Sequence, residues 1–557
     1  MSNIRYSLKM ALCSSMILIG SIHTGHLLGQ GQGQTAAAAT ATEMTAQTKM
    51  TVRETGAAQT VETGQQGQQE GFAVRAFHLD LRIQVMTLPA LEAFAQKLHN
   101  AGINTLIMEY EANYPYEQHP LIAGRYAYTK EEIVSLVRFC NGLGIDLIPL
   151  QQSFGHVDYI LRNDRYAALR EDEKDLSQIC PLETEKDSIL FTALFKELAS
   201  THTSPYIHIG CDETHLLGHC PKCRKKAAEE GISKLYLDYV KMLCNIVIKL
   251  GKRPILWADI ALKYPDALKS LPKETIFVDW NYGWDMNEFG NHEKLVKSGY
   301  EIWGAPALRS HPDNFFLTQW EKHFKNIRSF VPACRGLGYK GIVMTSWSTS
   351  GEYSAVYESE DGLTDLFAVR HVYPITGFNI LLAAYAKAIT DPAPLKIEDF
   401  VTAYCASQYG FDKAQAMDFW QALKTAPYEV NKGLVRGAPI SLETLTDSVR
   451  LASETFNRLK PLKNQDEFAH YRLMTDIRLQ YLHLREIEKQ VNDQHFHGDD
   501  IPPVLQKLKD LLANATTLDQ RFIELNKSDF YLSELQEENR VRNRRLQALY
   551  ERLGRIR

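Results

Sequence analysis

Residues Tyr206–Glu213 read YIHIGCDE, an apolar, β-branched run that stops on two adjacent carboxylates, Asp212 and Glu213. Neighbouring carboxylates at the end of a buried strand repel each other and are costly to desolvate. Stability therefore does not account for them, whereas a pair of carboxylates is the working apparatus of glycosidic bond hydrolysis.

Similar strand-like runs lie on both sides. They are FAVRAFHLDLR from Phe72, INTLIMEYE from Ile103, IDLIPLQQS from Ile145, RPILWAD from Arg253, TIFVDWNY from Thr275, EIWGAPA from Glu301 and GIVMTSW from Gly341. Amphipathic stretches such as PALEAFAQKLHNAG and KEEIVSLVRFCNGLG separate them, each ending in a glycine suited to a helix C-cap. Eight strand–helix units at this spacing predict an α/β fold of the (β/α)8 TIM barrel class over residues 72–375. A doubly wound open sheet is the alternative, but no glycine-rich phosphate loop follows the first strand.

Polar and aromatic residues gather where each run ends: Asp80 and Arg82, Glu109 and Glu111, Gln152 and His156, Asp212 and Glu213. The later strands bring Trp257 and Asp259, Trp280 and Tyr282, Trp303, and Trp347. Barrel enzymes build their sites from that rim, so these groups converge on one mouth.

The whole chain has 557 residues, 45% hydrophobic and 23% charged, with a net charge of −5. That is a soluble composition with no global signal for nucleic acid or anionic membrane, and the arginines near the C-terminus read as solvated helix-end charges. Arg5 and Lys9 precede the apolar stretch MALCSSMILIGSI, which predicts a signal peptide over residues 1–29 and an exported, periplasmic or extracellular protein. The stretch is short for a membrane span, so none is expected in the mature chain. Cys13 lies early in the stretch, which fits a lipoprotein anchor poorly. Residues 30–71 are rich in Ala, Thr, Gln and Gly and predict a disordered linker. Residues 376–557 predict a C-terminal helical region.

Aromatic faces stack on the apolar faces of pyranose rings, so Trp257, Trp280, Trp303 and Trp347 are candidates for a sugar cage, or else simply large core residues. Arg82 has a planar fork suited to vicinal hydroxyls, and an ion pair with Asp80 is its structural alternative. His156 follows a strand and a glycine on the rim, whereas His208 reads as a buried brace. Cys220 and Cys223 form a CxxC that a disulfide, free thiols or zinc would explain, with Cys180, His215 or His219 as further partners.

Adjacent carboxylates suit a division of labour. One donates a proton to the glycosidic oxygen, while the other stays ionised and orients a substrate group that attacks the anomeric carbon. A like-charge neighbour is expected to raise the pKa of the acid.

The segment HIGCDE resembles the H-x-G-G-D-E signature of glycoside hydrolase family 20, the β-N-acetylhexosaminidases. EYEANYPYE, IPLQQSFGHVDYIL, LWAD, VDWNYG and GIVMTSW are similar in order and spacing to one branch of that family. The resemblance implies a TIM barrel, no cofactor, no metal in the reaction, and a glycan with a terminal N-acetylhexosamine as partner. It implies that Glu213 is the acid and base, that Asp212 holds the 2-acetamido group, and that Tyr282 hydrogen-bonds its oxygen. Trp257, Trp280 and Trp347 would enclose the sugar, Arg82 and His156 would bind it, and Glu352 is a candidate contact for O4 or O6. Cys211 departs from the signature glycine. Oligomeric state is not legible. Two other readings are a carbohydrate-binding barrel without catalysis, and a glycosidase whose nucleophile is Glu109 or Glu111.

Overall fold

A computed structural model describes residues 71–263, 265–284, 290–349, 371–431 and 433–556. The expected signal peptide, almost all of the expected linker, and Glu352 lie outside the described residues.

The strands are β1 (Val74–Asp80), β2 (Thr105–Glu109), β3 (Asp146–Leu150), β4 (Tyr206–His208), β5 (Arg253–Trp257), β6 (Ile276–Trp280), β7 (Glu301–Ala305), β8 (Ala307–Arg309) and β9 (Gly341–Ser346). Strands β1 to β7 and β9 pair in parallel in that order, and β1 pairs with β9 to close the barrel. The seventh run is broken at Pro306, after which β8 continues beside the upper half of β9. Proline has no N–H to give the ladder, but its carbonyl still accepts from Thr345 N at 2.9 Å.

Strand alternation sorts side chains into two cores. Phe77 and Leu79 face outward into the cluster shared with the helices, whereas Ala76, Ile107, Ile148, Ile255, Ile276 and Val343 fill the barrel interior. Following the inward positions upward, Ala76 gives way to His78 and Asp80, and Ile107 to Glu109. In the same way Ile255 gives way to Trp257 and then Asp259. The interior is apolar at the bottom and polar or aromatic at the C-terminal mouth. Trp303 belongs to the bottom: it pairs with Gly341, the first residue of β9, and is fully buried. A Cβ at Gly341 would come within 2.6 Å of the Trp303 ring, so glycine makes room for it. Trp303 is therefore a core residue and leaves the expected cage.

The longer helices are α1 (Leu88–Asn100), α2 (Lys130–Gly142), α3 (Thr184–Thr201), α4 (Pro221–Glu230), α5 (Ile232–Lys249) and α6 (Trp320–Gly336). After them come α7 (Asn379–Thr390), α8 (Ile397–Tyr409), α9 (Lys413–Leu423), α10 (Leu442–Arg458), α11 (Gln465–Val491), α12 (Ile501–Asn526) and α13 (Leu532–Gly554). Helix α1 stops where Gly102 takes φ +77°, its N–H meeting His99 O while Ile103 N meets Leu98 O. Helix α2 starts in a Thr129–Glu132 capping box and stops at Gly144 in the same way.

The C-terminal helices pack on the barrel. The Glu534 carboxylate of α13 accepts Val85 N at 3.0 and 3.1 Å, and Asp529 O accepts Thr87 N at 2.9 Å. Both acceptors hold the loop that carries Arg82. No helix among the described residues is long and apolar enough to cross a membrane.

Candidate active site

The mouth is assembled from strand ends that approach closely at two glycines, one against a side chain and one against backbone. A Cβ on Gly210 would lie 1.8 Å from Gln152 Oε1, and one on Gly155 would lie 2.2 Å from the Asp212 carbonyl oxygen. Glycine at these two positions lets the third and fourth strand ends touch. Beyond β4 the chain stays tied to β5, with Ile209 N donating to Ile255 O and Trp257 N to Gly210 O. Tyr236 of α5 donates to Cys211 O at 2.9 Å from behind.

At the centre His156 Nε2 lies 3.4 Å from Asp212 Oδ2 and 3.3 Å from Glu213 Oε2. Burial disfavours the imidazolium, but the Asp212 charge and the hydrogen bonds that His156 donates to both carboxylates raise it well above its ordinary pKa. Desolvation within the mouth pushes the partly exposed Glu213 up, yet the hydrogen bond and charge of His156, with His215 and Arg82 beyond, hold it down at about 2. This corrects the expectation that the neighbouring carboxylate keeps the acid protonated. Where no substrate lies between them, the proton sits on His156. Asp212 is buried and its Oδ1 has no hydrogen-bond partner among the described residues.

Asp259, one position past the Trp257–Ala258 strand end, accepts Glu213 N at 3.3 Å. Burial, then the charges of Asp212 and Glu213, raise it to about 7. It is a site residue to which the sequence reading assigned no role beyond membership of the rim.

Arg82 donates to Asp80 Oδ1 from its backbone N at 2.8 Å and from Nε at 3.1 Å. The opposite oxygen, Asp80 Oδ2, accepts Ser348 N and Oγ at 2.8 and 2.7 Å, which links β1 to the segment after β9. Burial of Asp80 is outweighed by the Arg82 charge and these hydrogen bonds, leaving its carboxyl at about 2. The Arg82 guanidinium also lies 5.2 Å from the Trp347 ring centroid and its Nε 3.9 Å from Glu111 Oε1. Both readings of Arg82 thus meet in one geometry: an ion pair that fixes an arginine beside the mouth.

Trp257, His78 and Trp347 form an aromatic wall, with His78 4.6 Å and Trp257 5.8 Å from Trp347 between centroids. His208 is buried, accepts Gly210 N through Nδ1 at 3.1 Å, and leans on Trp257 at 4.5 Å. Burial, with the His78 charge, keeps it neutral by lowering its pKa well below the usual range.

Opposite lie Trp280 and Tyr282, 5.3 Å apart, joined by Trp284 at 5.6 and 5.4 Å. Tyr282 OH accepts Trp347 Nε1 at 3.0 Å, which closes the ring of aromatics. Trp284 was missed; its signal was its place two residues after Tyr282 in the same WNYGW run.

Glu109 and Glu111 sit deeper. Glu109 is fully buried, with Oε2 2.7 Å from His78 Nε2 and Oε1 accepting Gln152 Nε2 at 3.1 Å. Burial raises Glu111 well above the usual carboxylate range, against the pull of Arg82. Glu109 is engaged at both oxygens and Glu111 is buried beside Arg82, so neither is presented as a nucleophile.

Comparison with known proteins places this arrangement. The family profile described as "Glycosyl hydrolase family 20, catalytic domain" matches residues 80–362, half of the chain. Hexosaminidase D of Bos taurus is 28% identical over 305 residues, covering 51% of this chain and 87% of that protein. Hexosaminidase D of Homo sapiens is 27% identical over 304 residues, covering 52% of this chain and 62% of that protein. Among solved structures, the β-N-acetylhexosaminidase from Bacteroides fragilis aligns at 17% identity and a TM-score of 0.42, over 57% of this chain and 66% of that one. The barrel, the carboxylate pair at the end of β4 and the family match together show that this chain belongs to glycosyl hydrolase family 20.

Proposed function

We propose that the protein is an exported, exo-acting β-N-acetylhexosaminidase that removes terminal β-linked GalNAc or GlcNAc from glycans by substrate-assisted, retaining hydrolysis. In this reading Asp212 orients the 2-acetamido group, whose oxygen attacks the anomeric carbon as Glu213 protonates the departing oxygen. Tyr282 hydrogen-bonds the acetamido oxygen. Glu213 then takes a proton from the water that opens the oxazolinium intermediate. Trp257, Trp280 and Trp347 enclose the sugar, and Arg82 and His156 hold it.

The observation that carries the reading is the adjacency of Asp212 and Glu213 on one imidazole, combined with the engagement of Glu109 and the burial of Glu111. With the acid and its neighbour on consecutive residues, and no protein carboxylate offered across the mouth among the described residues, the nucleophile falls to the substrate. The relatives named hexosaminidase D support the substrate class. Export rests on the charged and apolar N-terminal pattern alone.

The test is hydrolysis of aryl β-GalNAc and β-GlcNAc, with product anomers followed by NMR. Turnover with retention, inhibition by a thiazoline mimic and no trapped glycosyl-protein support the proposal. Binding of both sugars without turnover overturns it in favour of a carbohydrate-binding barrel. A covalent adduct on a carboxylate overturns the mechanism.

A further inference from the structure

Behind the mouth, three cysteines from two segments meet, Cys180 from one and the CxxC pair Cys220 and Cys223 from the other. Cys180 Sγ lies 3.5 Å from Cys223 Sγ and 3.8 Å from Cys220 Sγ. These three sulfurs and a carboxylate oxygen of Glu171 all lie within 4.8 Å of one another. Cys180, Cys223 and Glu171 are each at least 97% buried. Two thiolates 2.3 Å from a shared tetrahedral zinc are about 3.8 Å apart, whereas disulfide sulfurs are about 2.05 Å apart. The observed spacing matches the former. A disulfide between any two of the cysteines would also strand the third thiol next to a buried carboxylate.

The surroundings are those of ligands held in place. Cys220 caps α4, its sulfur accepting Cys223 N at 3.3 Å. Its own N–H donates to Glu171 Oε1 at 2.8 Å, which aims that carboxylate at the sulfurs. The other oxygen, Glu171 Oε2, is buried without a hydrogen-bond partner among the described residues. An unpaired carboxylate oxygen in a dry pocket is costly unless a cation or proton meets it. The two histidines in reach by sequence are turned elsewhere, His219 to Asp172 at 2.9 Å and His215 toward Glu213 at 4.0 Å.

We infer that Cys180, Cys220, Cys223 and Glu171 form a closed tetrahedral site for a structural zinc ion that takes no direct part in the carbohydrate chemistry. Three soft thiolates with one carboxylate suit zinc over calcium or magnesium, and four protein ligands leave no position for a substrate. Binding would release the three thiol protons, and the carboxylate would complete the set.

The ion would act as a positioning device. Segment 214–223 leaves directly from Glu213, and segment 171–180 contains Gln178, whose Oε1 accepts Leu216 N at 2.8 Å and whose backbone bridges to Gly155 beside His156. Zinc would staple together the two loops that hold Glu213 against His156.

The test is elemental analysis of the full chain purified without chelator from zinc-supplemented cells, joined to cobalt substitution. About one zinc per chain is expected, as are the visible bands of a tetrahedral cobalt–thiolate site. Cys180→Ser and Cys223→Ser are each expected to lose the metal and Glu171→Gln to weaken it, while Cys405→Ser, on α8, keeps it. Because the serine variants can fail to fold, the cobalt spectrum of the unmodified chain is read on its own. Substoichiometric metal with a Cys180–Cys223 or Cys180–Cys220 disulfide in non-reducing peptide maps would overturn the inference, as would full zinc content in Cys223→Ser. Absence of hexosaminidase activity would leave this result untouched, since its readout is metal content.

Discussion

Replacing His156 with asparagine tests the proton economy of the mouth. In the unsubstituted protein the His156–Glu213 pair shares one acidic proton at neutrality, because His156 titrates well above its ordinary 6.5 and Glu213 at about 2. The pair keeps that proton until the pH passes the raised histidine value, so kcat/KM for a substrate needing acid catalysis stays level through neutrality. Without the imidazole, Glu213 loses the partner that lowered it and returns to or above its ordinary 4.5. The proton is then lost as pH rises through about 5, and the protonated fraction at pH 7 is about 1 in 100. The expected result is a change in the profile: kcat/KM of the variant falls about 50-fold between pH 5 and pH 7, whereas that of the unsubstituted protein stays level over the same range. The assay compares pH profiles for a β-N-acetylhexosaminide with a poor leaving group and for its dinitrophenyl counterpart, which needs no protonation. An equal loss at every pH with the alkaline limb unmoved would refute the reasoning, as would the same loss with the dinitrophenyl substrate.

The other expectations concern the same strand ends. Glu213→Gln should lower kcat by about 10²–10⁴ for poor leaving groups and far less for dinitrophenyl glycosides. Asp212→Asn should cost about 10² for both, since it acts on the nucleophile. A reversed pattern would exchange their roles. Gly155→Ala places a Cβ 2.2 Å from the Asp212 carbonyl oxygen. The backbone must yield, so a destabilisation of about 1–3 kcal/mol is expected in urea melts; an unchanged midpoint would contradict the close approach. Asp80 falls from 3.8 to about 2 on folding and is fully buried. Its ionised form therefore contributes about 2 kcal/mol above pH 4, lost as pH falls toward about 2. Stability of Asp80→Asn that keeps the same slope between those pH values would assign the effect elsewhere.

How much of this was legible in the chain varied with the physical signal. The barrel was readable because parallel strands covered on both faces leave uninterrupted apolar runs, and because alternation forces the inward positions of each run to change character at its end. Pro306 interrupts the seventh strand, and the proline itself was the signal, hidden when the run EIWGAPA is read for apolarity alone. Trp303 was legible as apolar but not by height, because register with Gly341, not sequence position, sets it at the barrel floor. The cluster at Cys180 was half legible: the CxxC is local, but Glu171 arrives from a distant loop and acidic residues carry no spacing code. The sign of the Glu213 shift was misjudged for a related reason. Neighbours in sequence were counted, whereas the decisive charge sits on His156, which only the fold brings within 3.3 Å.

That contact also resolves a geometric conflict in the sequence. Consecutive residues of an extended strand point to opposite faces, so Asp212 and Glu213 should diverge, one inward and one outward. Both nevertheless reach the same imidazole nitrogen, at 3.4 and 3.3 Å. The backbone explains how: Gly210, Cys211 and Glu213 take φ of +70°, +72° and +46°, which ends the alternation just where the strand leaves its ladder. His156 at +54° and Glu111 at +46° bend the neighbouring strand ends in the same way. For residues with a Cβ such conformations cost about 1 kcal/mol each, and glycine at Glu111, His156 or Glu213 would avoid the cost only by discarding the reactive side chain. Four of the six described non-glycine residues at positive φ lie at this mouth, the others being Ala426 and Asn464, and the strain here is held by packing behind the mouth: Tyr236 on the Cys211 carbonyl and Asp259 on the Glu213 amide. Two carboxylates that ought to repel and diverge are made to converge because the backbone pays in conformation for what the imidazole returns in charge.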